Sequence, residues 1–298
     1  MKKIHIFTHG DLDGVTSYLA VNWFIPDASF TYTIISNASN VREEVLTFLG
    51  SHSFKDYNRI FFLDLDCYDA KDLIEEKNVF IIDHHEAHVN KITENGKYEN
   101  ATSLVKVFPS CCLLIYKIFS KLFENAVITK EQKTLLGIVN DYDSYQLQIK
   151  FSVPLNWVFW SYNKKIESFF NRFYNGFNGF NNNEISMIKI KKNELEKIIS
   201  ELELFKGKLN EYNVLACFAD ECINEVHDYI LHKYKPDITI VIISKPKRVT
   251  WRKNLNSKAP LHILAEKLCD GGGHEYAAGG NITDRFLTFT KKLQPLDG

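Results

Sequence analysis

Four short apolar segments punctuate the first eighty-odd residues: Ile4 to Thr8, Phe30 to Ile35, Ile60 to Leu63 and Val79 to Ile82. Each has the length and the β-branched or aromatic content of a strand. Between them, Val15, Tyr18, Leu19 and Trp23 recur at helical spacing, and Val41 to Leu49 reads as a second helix. Strand alternating with helix predicts a parallel sheet with helices on its faces. Three of the four strands stop at a histidine or an aspartate: His9, Asp64 and Asp83. The last runs straight into His84 and His85, so a carboxylate and two imidazoles follow one buried strand. In open α/β sheets that carboxyl edge is where sites form, because the loops are held rigidly at their bases.

Further on, Ser103 to Val105 suggests another strand and Ser110 to Ile118 a helix. Thr129 with Gln132 makes a capping box for a helix carrying Leu135, Leu136, Ile138 and Val139 and ending near Asp141 and Asp143. Residues 151–180 are aromatic-rich and predict helices packed over the sheet; the Gly/Asn/Phe stretch 176–183 is the clearest break. A charged helix from Glu184 to Phe205 follows, with Ile188, Leu195, Ile198, Ile199 and Leu202 along one side. The remainder predicts a second α/β unit: strands at Val214 to Phe218, Ile238 to Ser244 and Arg248 to Arg252, helices at Cys222 to His232 and Leu261 to Leu268, and a glycine-rich segment, 270–280. The division expected is 1–180, a connector helix over 181–207, and 208–298.

Composition narrows the class without naming a substrate. The 298 residues are 45% hydrophobic and 24% charged, as in ordinary globular domains, and the net charge of -1 gives no general attraction to nucleic acid. Six cysteines without a CxxC pair read as small buried residues in a reducing compartment rather than disulfides or zinc ligands. The N-terminal segment is too short and polar for a signal peptide and no run approaches membrane-spanning length, so a cytoplasmic protein with no membrane partner is expected.

If the strand ends are neighbours, His9, Asp11, Asp13, Asp64, His84 and Asp141 converge. A like-charged pair at 4 Å costs about 4 kcal/mol at an effective dielectric of 20, so several carboxylates this close require cations. No Lys or Arg is interleaved with these motifs, whereas two divalent ions would balance four aspartates. Mixed carboxylate and imidazole donors suit Mn2+, with Mg2+, Fe2+ or Co2+ compatible, and the lack of thiolates argues against structural zinc. A DxD pair alone is often a helix cap. Its combination with adjacent histidines after a buried strand favours a metal site. His5, His52, His88, His227, His232 and His262 lack matching spacing and read as ordinary surface or satisfied histidines.

The pattern His9-x-Asp11-x-Asp13-Gly14, Asp64 at a strand end, Asp83-His84-His85, Gly137-Ile138-Val139-Asn140-Asp141 and Gly271-Gly272-Gly273-His274 resembles the DHH phosphoesterase superfamily with its DHH-associated C-terminal domain. The resemblance covers nearly the whole chain, least informatively over 151–205. It implies an N-terminal parallel-sheet DHH domain with flanking helices, a connector helix, and a smaller α/β substrate-binding domain. It assigns His9, Asp11 and Asp64 to one Mn2+, and Asp13, Asp64, His84 and Asp141 to another, with Asp64 shared. Asp83 then orients an imidazole, and His85 faces the substrate phosphate. Asp66 and Asp143 each lie two residues beyond an assigned ligand, so either stands as an alternative to Asp64 or Asp141.

Three glycines let the backbone approach an anion, and His274 adds a donor. Arg248, Thr250 and Arg252 share one strand face, and Arg252 is the candidate grip on a phosphate, near Lys245, Lys247 and Lys253. The expected protein is a manganese-dependent phosphodiesterase, of RecJ-like or nano-RNase-like type, with its cleft between the two domains. In it, two cations lower the pKa of a water that attacks phosphorus in line, while His85, His274 and Arg252 stabilise the phosphoryl oxygens. Short single-stranded oligonucleotides, cut to mononucleotides, are the preferred substrate because the charge balance does not suit long strands. Linear or cyclic dinucleotides and phosphoadenosine phosphate are the enzymatic alternatives, and a nucleotide-binding sensor is the non-enzymatic one. A homodimer is left open.

Overall fold

The computed structural model describes residues 2–162, 165–273 and 275–296. His274, singled out above, lies outside them. The chain divides into two compact units, Met1–Ile188 and Lys189–Gly298.

In the first unit, β1 (Lys2–His9), α1 (Leu12–Phe24), β2 (Ala28–Ile35), α2 (Val41–Leu49), β3 (Arg59–Leu63), α3 (Lys71–Ile74), β4 (Val79–Asp83), α4 (Glu86–Asn95) and β5 (Thr102–Val105) follow in order. Their sheet has the order β2-β1-β3-β4-β5, and every pairing is parallel. Because successive side chains leave opposite faces, Ile4, Ile6, Phe61, Leu63 and Ile82 enter one core and Phe7, Ile60, Phe62, Val79 and Ile81 the other. Strands buried on both faces have no polar side, which is why β3 and β4 are nearly continuous apolar runs.

The first core is completed by α1, α5 (Cys111–Leu122), α6 (Lys130–Asp143), α7 (Ser152–Ser161) and α8 (Lys165–Phe173). The aromatic segment therefore forms helices over the sheet, with Phe159, Phe169 and Phe173 fully buried. The apolar stripe expected for α1 understates its burial: Leu12 to Val21, Trp23 and Phe24 are all buried, so this helix is enclosed rather than amphipathic. Gly14 suits its first turn because a Cβ there would collide with the His9 carbonyl.

His5 is a satisfied core histidine. Its Nδ1 lies 2.7 Å from Thr31 Oγ1 and its Nε2 3.1 Å from Thr33 Oγ1, both on β2. Burial lowers its pKa from 6.5 to about 4, with His52 adding to the shift. A histidine depressed in the folded state contributes stability that is intact above pH 6.5 and lost as acid protonates the unfolded chain first. Acidification from pH 7 to pH 4 is expected to cost about 3 kcal/mol at this residue. Denaturant unfolding of the wild type and His5→Gln at both pH values should show that much less pH dependence in the variant.

The helix α9 (Asn182–Ser200) carries the chain onward. It stops short of the Phe205 end expected from periodicity, because Phe205 opens β6 (Phe205–Leu209), which pairs antiparallel with β7 (Tyr212–Phe218). Asn210 between them takes the left-handed conformation that asparagine tolerates. The second unit continues with α10 (Ile223–Tyr234), β8 (Ile238–Ile243), β9 (Arg248–Lys253), α11 (Leu261–Cys269), β10 (Gly272–Gly273), β11 (Ala277–Asn281), α12 (Asp284–Thr290) and β12 (Gln294–Pro295). Its sheet order is β10-β11-β9-β8-β7-β6-β12, with only β7 and β8 parallel among the described pairings. Val249 and Trp251 fill its core, so Arg248, Thr250 and Arg252 leave β9 on the other face.

Candidate metal centre

The order β2-β1-β3 puts the first strand between the second and third, so the connections from β1 and β3 run to opposite sides of the sheet. Such a switch point opens a crevice at the carboxyl edge. His9 ends β1, Asp64 follows β3, and Asp83 ends β4 just before His84 and His85. Asp64 takes φ 59°, a left-handed conformation that is uncommon outside glycine, asparagine and aspartate and lies where a strand passes abruptly into a site.

Helix N-termini seat the first two aspartates. Asp11 caps α1, its Oδ1 accepting from Gly14 N at 2.9 Å. Asp13 reaches across to α5, where its two oxygens accept from Cys111 N at 2.6 Å and Cys112 N at 3.0 Å. Helix N-termini favour anions, so both carboxylates are oriented by the fold. The cap reading and the cluster reading of the DxD pair are therefore compatible.

Two groups of donors result. His9 Nδ1 lies 2.8 Å from Asp11 Oδ2 and 3.8 Å from Asp64 Oδ2. His84 Nε2 lies 3.2 Å from Asp64 Oδ1, 3.5 Å from Asp143 Oδ2 and 3.9 Å from Asp13 Oδ2. Asp64 thus stands between them, one oxygen towards each. His84 Nδ1 is 2.9 Å from the Phe108 carbonyl, which only accepts, so Nδ1 carries the proton and Nε2 is left to bind a cation. His85 Nδ1 donates to Asp83 Oδ1 at 2.7 Å and lies 3.9 Å from Asp64 Oδ1.

One expectation is corrected: the aspartate beside His84 is Asp143, not Asp141. Asp141 spends its carboxylate within its own unit, accepting from Gln148 N at 3.0 Å, Ile149 N at 2.9 Å and Ser152 Oγ at 2.5 Å. Period two applies to strands, but these residues lie in α6, where two positions are about 200° apart. Only one of them can face the cluster. Asp66, the other alternative, turns away to accept from Lys91 Nζ at 3.0 Å.

The charge distribution supports cation binding. Burial, with Asp11 and Asp13 adding like charge, pushes the Asp64 carboxyl well above its usual range, and burial beside Asp13 does the same to Asp143. Burial also raises Asp13. Asp64 Oδ1 and Asp143 Oδ2 are buried without a hydrogen-bond partner. An orphaned buried carboxylate oxygen is costly, and two flanking one imidazole nitrogen mark an oxygen-and-nitrogen donor set shaped for a hard or borderline divalent ion. The sets His9, Asp11, Asp64 and Asp13, His84, Asp143 each bring three donor atoms within 4.8 Å of one another.

In the second unit, the residues expected to hold substrate are placed as follows. Arg252 Nη2 donates to Asn224 Oδ1 at 2.9 Å and Nη1 to the Trp251 carbonyl at 2.9 Å. Lys253 is buried, donating to Ala259 O at 3.3 Å and Glu275 Oε1 at 3.2 Å, which removes it from the expected basic patch. Gly272 and Gly273 pair with Gly279 and Ala278, and a Cβ on Gly271 would strike the Gly279 carbonyl. The glycines thus form a close-packed hairpin against β11.

Residues 3–139 match the model described as "DHH family, N-terminal domain". The first unit carries a DHH-family N-terminal domain. Comparison with curated proteins finds no match. Solved structures similar to this chain share its fold at low identity. An exopolyphosphatase-related protein from Bacteroides fragilis superposes with TM-score 0.53 and 12% identity, covering 98% of this chain and 91% of the other. Exonuclease RecJ bound to manganese gives TM-score 0.52 and 13% identity, covering 97% and 88%. RecJ from Thermus thermophilus in complex with Mg2+ gives 0.53 and 12%, covering 97% of this chain but 48% of that one. The matched residues include Asp83-His84-His85, and no helix among the described residues is long and apolar enough to cross a membrane.

Two positions carry more than their sequence context suggests. Asp143 reads from the sequence only as an alternative, although its helical phase relative to Asp141 is the available signal. His88 reads from the sequence as an ordinary histidine, yet it is fully buried with Nδ1 2.8 Å from Asp83 Oδ2. Its spacing of three from His85 across a helix start was the signal for it.

Proposed function

We propose that the protein is a metal-dependent phosphoesterase, and specifically a manganese-dependent phosphodiesterase that hydrolyses short single-stranded oligonucleotides to mononucleotides. The observation that carries this reading is the pair of orphaned buried oxygens, Asp64 Oδ1 and Asp143 Oδ2, facing the nitrogen of His84 that its other hydrogen bond leaves for a cation. His9, Asp11 and Asp64 would hold one ion and Asp13, Asp64, His84 and Asp143 the other. When bound, such ions supply positive charge to phosphoryl oxygens and lower the pKa of water. The protein's own work is positional. Two helix N-termini aim Asp11 and Asp13, Phe108 sets the His84 tautomer, and Asp83 holds His85 beside Asp64, where it can donate to a phosphoryl oxygen. Mn2+ is preferred over Mg2+ because imidazole contributes to each set. The part proposed for Gly271, Gly272, Gly273, His274 and Arg252 is to hold the nucleotide.

A product time course tests the reading: purified protein with Mn2+ and end-labelled RNA and DNA from two to about twenty-five nucleotides, beside cyclic dinucleotides and phosphoadenosine phosphate. Fastest release of mononucleotides from the shortest linear strands is expected. Turnover confined to cyclic dinucleotides or phosphoadenosine phosphate would move the substrate to that class. Unchanged substrate throughout would leave a nucleotide sensor.

A further inference from the structure

A second line of hydrogen bonds leaves the metal-binding cluster and runs into the core behind it. Asp83 is fully buried and divides its oxygens between two imidazoles: Oδ1 is 2.7 Å from His85 Nδ1, and Oδ2 is 2.8 Å from His88 Nδ1. His88 Nε2 is 3.0 Å from the Tyr98 hydroxyl, which is 3.6 Å from Cys67 Sγ. His88 and Cys67 are themselves fully buried.

The chemistry of each partner gives the line one direction. An ionised carboxylate only accepts, so both Nδ1 atoms carry protons. In the neutral His88 ring Nε2 then accepts, which makes Tyr98 the donor to it and leaves the Tyr98 oxygen to accept from the Cys67 thiol. Burial alone would raise Asp83, but the hydrogen bonds from His85 and His88 outweigh it and hold the carboxyl below its usual range. Burial raises both the Cys67 thiol and the Tyr98 hydroxyl, so both remain protonated donors.

Resting on the phosphoesterase reading, we propose that His88 and Tyr98 are positioning residues for His85, acting through Asp83. An aspartate carboxylate turns readily about its last bond, because that torsion has only broad two-fold wells. A single hydrogen bond to His85 would let the two groups swing together. The second bond, to a ring rooted in the first turn of α4, pins the carboxylate plane, and Tyr98 pins that ring from behind. His85 is the residue immediately before the same helix, so one helix start sets the spacing of both imidazoles. For packing alone a leucine would serve at 88. A buried imidazole with both nitrogens engaged serves to hold Oδ2.

The test uses the full chain with histidine side chains labelled with 15N, first without metal, then with Mn2+ and a dinucleotide substrate. In His88→Leu the His85 nitrogen signals, assigned with His85→Gln, should move away from the Nδ1-protonated pattern, and kcat should fall at least about tenfold with KM within about twofold. His88→Gln, whose amide can donate to Asp83 and accept from Tyr98, should restore most of both. Tyr98→Phe keeps the bulk and should give the same changes at smaller size, which keeps the proposal testable if the leucine variant fails to fold. An unshifted His85 signal in His88→Leu and Tyr98→Phe, or equal losses in the leucine and glutamine variants, would overturn it. If the wild type hydrolyses no phosphoester, the function is wrong, while the metal-free His85 signal still decides whether His88 positions it.

Discussion

Asp64→Asn is expected to abolish hydrolysis, lowering Mn2+-dependent turnover by about a thousandfold or more, and to weaken Mn2+ binding at both donor sets. The reason is its place between them, with Oδ2 3.8 Å from His9 Nδ1 and Oδ1 3.2 Å from His84 Nε2. Its oxygens lie close to His9 and Asp11 on one side and to His84 and His85 on the other. Losing the charge removes neutralisation of two cations at once, and electrostatic groups of this kind are the largest single contributors to such reactions. Asparagine is chosen over alanine because position 64 has φ 59°, which asparagine accepts and alanine resists at about 1–2 kcal/mol. The same variant should leave metal-free stability unchanged or raised. In the wild type this carboxyl is pushed up by burial and by Asp11 and Asp13, so folding loses a repulsion when the charge goes. Calorimetric Mn2+ titration and thermal unfolding of the metal-free protein check both halves. Retained binding at both sets would refute the shared role.

The second large effect is a contrast between neighbours. Asp143→Ala should cost about a hundredfold or more in turnover with little or no loss of stability, because its Oδ2 is a buried acceptor without a donor. Asp141→Ala should do the reverse. It deprives Gln148 N, Ile149 N and Ser152 Oγ of their common acceptor at the end of α6, at a cost of about 3 kcal/mol, while the folded fraction keeps its activity. Unfolding midpoints together with specific activity normalised to folded protein separate the outcomes. Loss of activity confined to Asp141→Ala would return the ligand role to that residue.

Much of this arrangement is local chemistry. The strands of the first sheet are legible because a strand buried on both faces must be apolar throughout, so it stops visibly where Asp64 or Asp83 begins. The capping box at Thr129 and Gln132 is likewise a short-range bond, present as read. Linear order also identified His9, Asp11, Asp13, Asp64 and His84 as a group, since parallel strands deliver their carboxyl ends to one edge. Other facts depend on partners far along the chain. Asp13 is oriented by the N–H groups of Cys111 and Cys112, and His84 by the Phe108 carbonyl, neither of which leaves a mark at the aspartate or histidine itself. His88 looked unremarkable because Tyr98 reaches it only once the loop after α4 has folded back.

The sequence by itself determined a parallel sheet whose strand ends carry acidic and imidazole donors. Only the tertiary structure decided between Asp141 and Asp143, because two residues on a helix face nearly opposite ways and the docking of α6 against its neighbours selects which of them looks into the cluster.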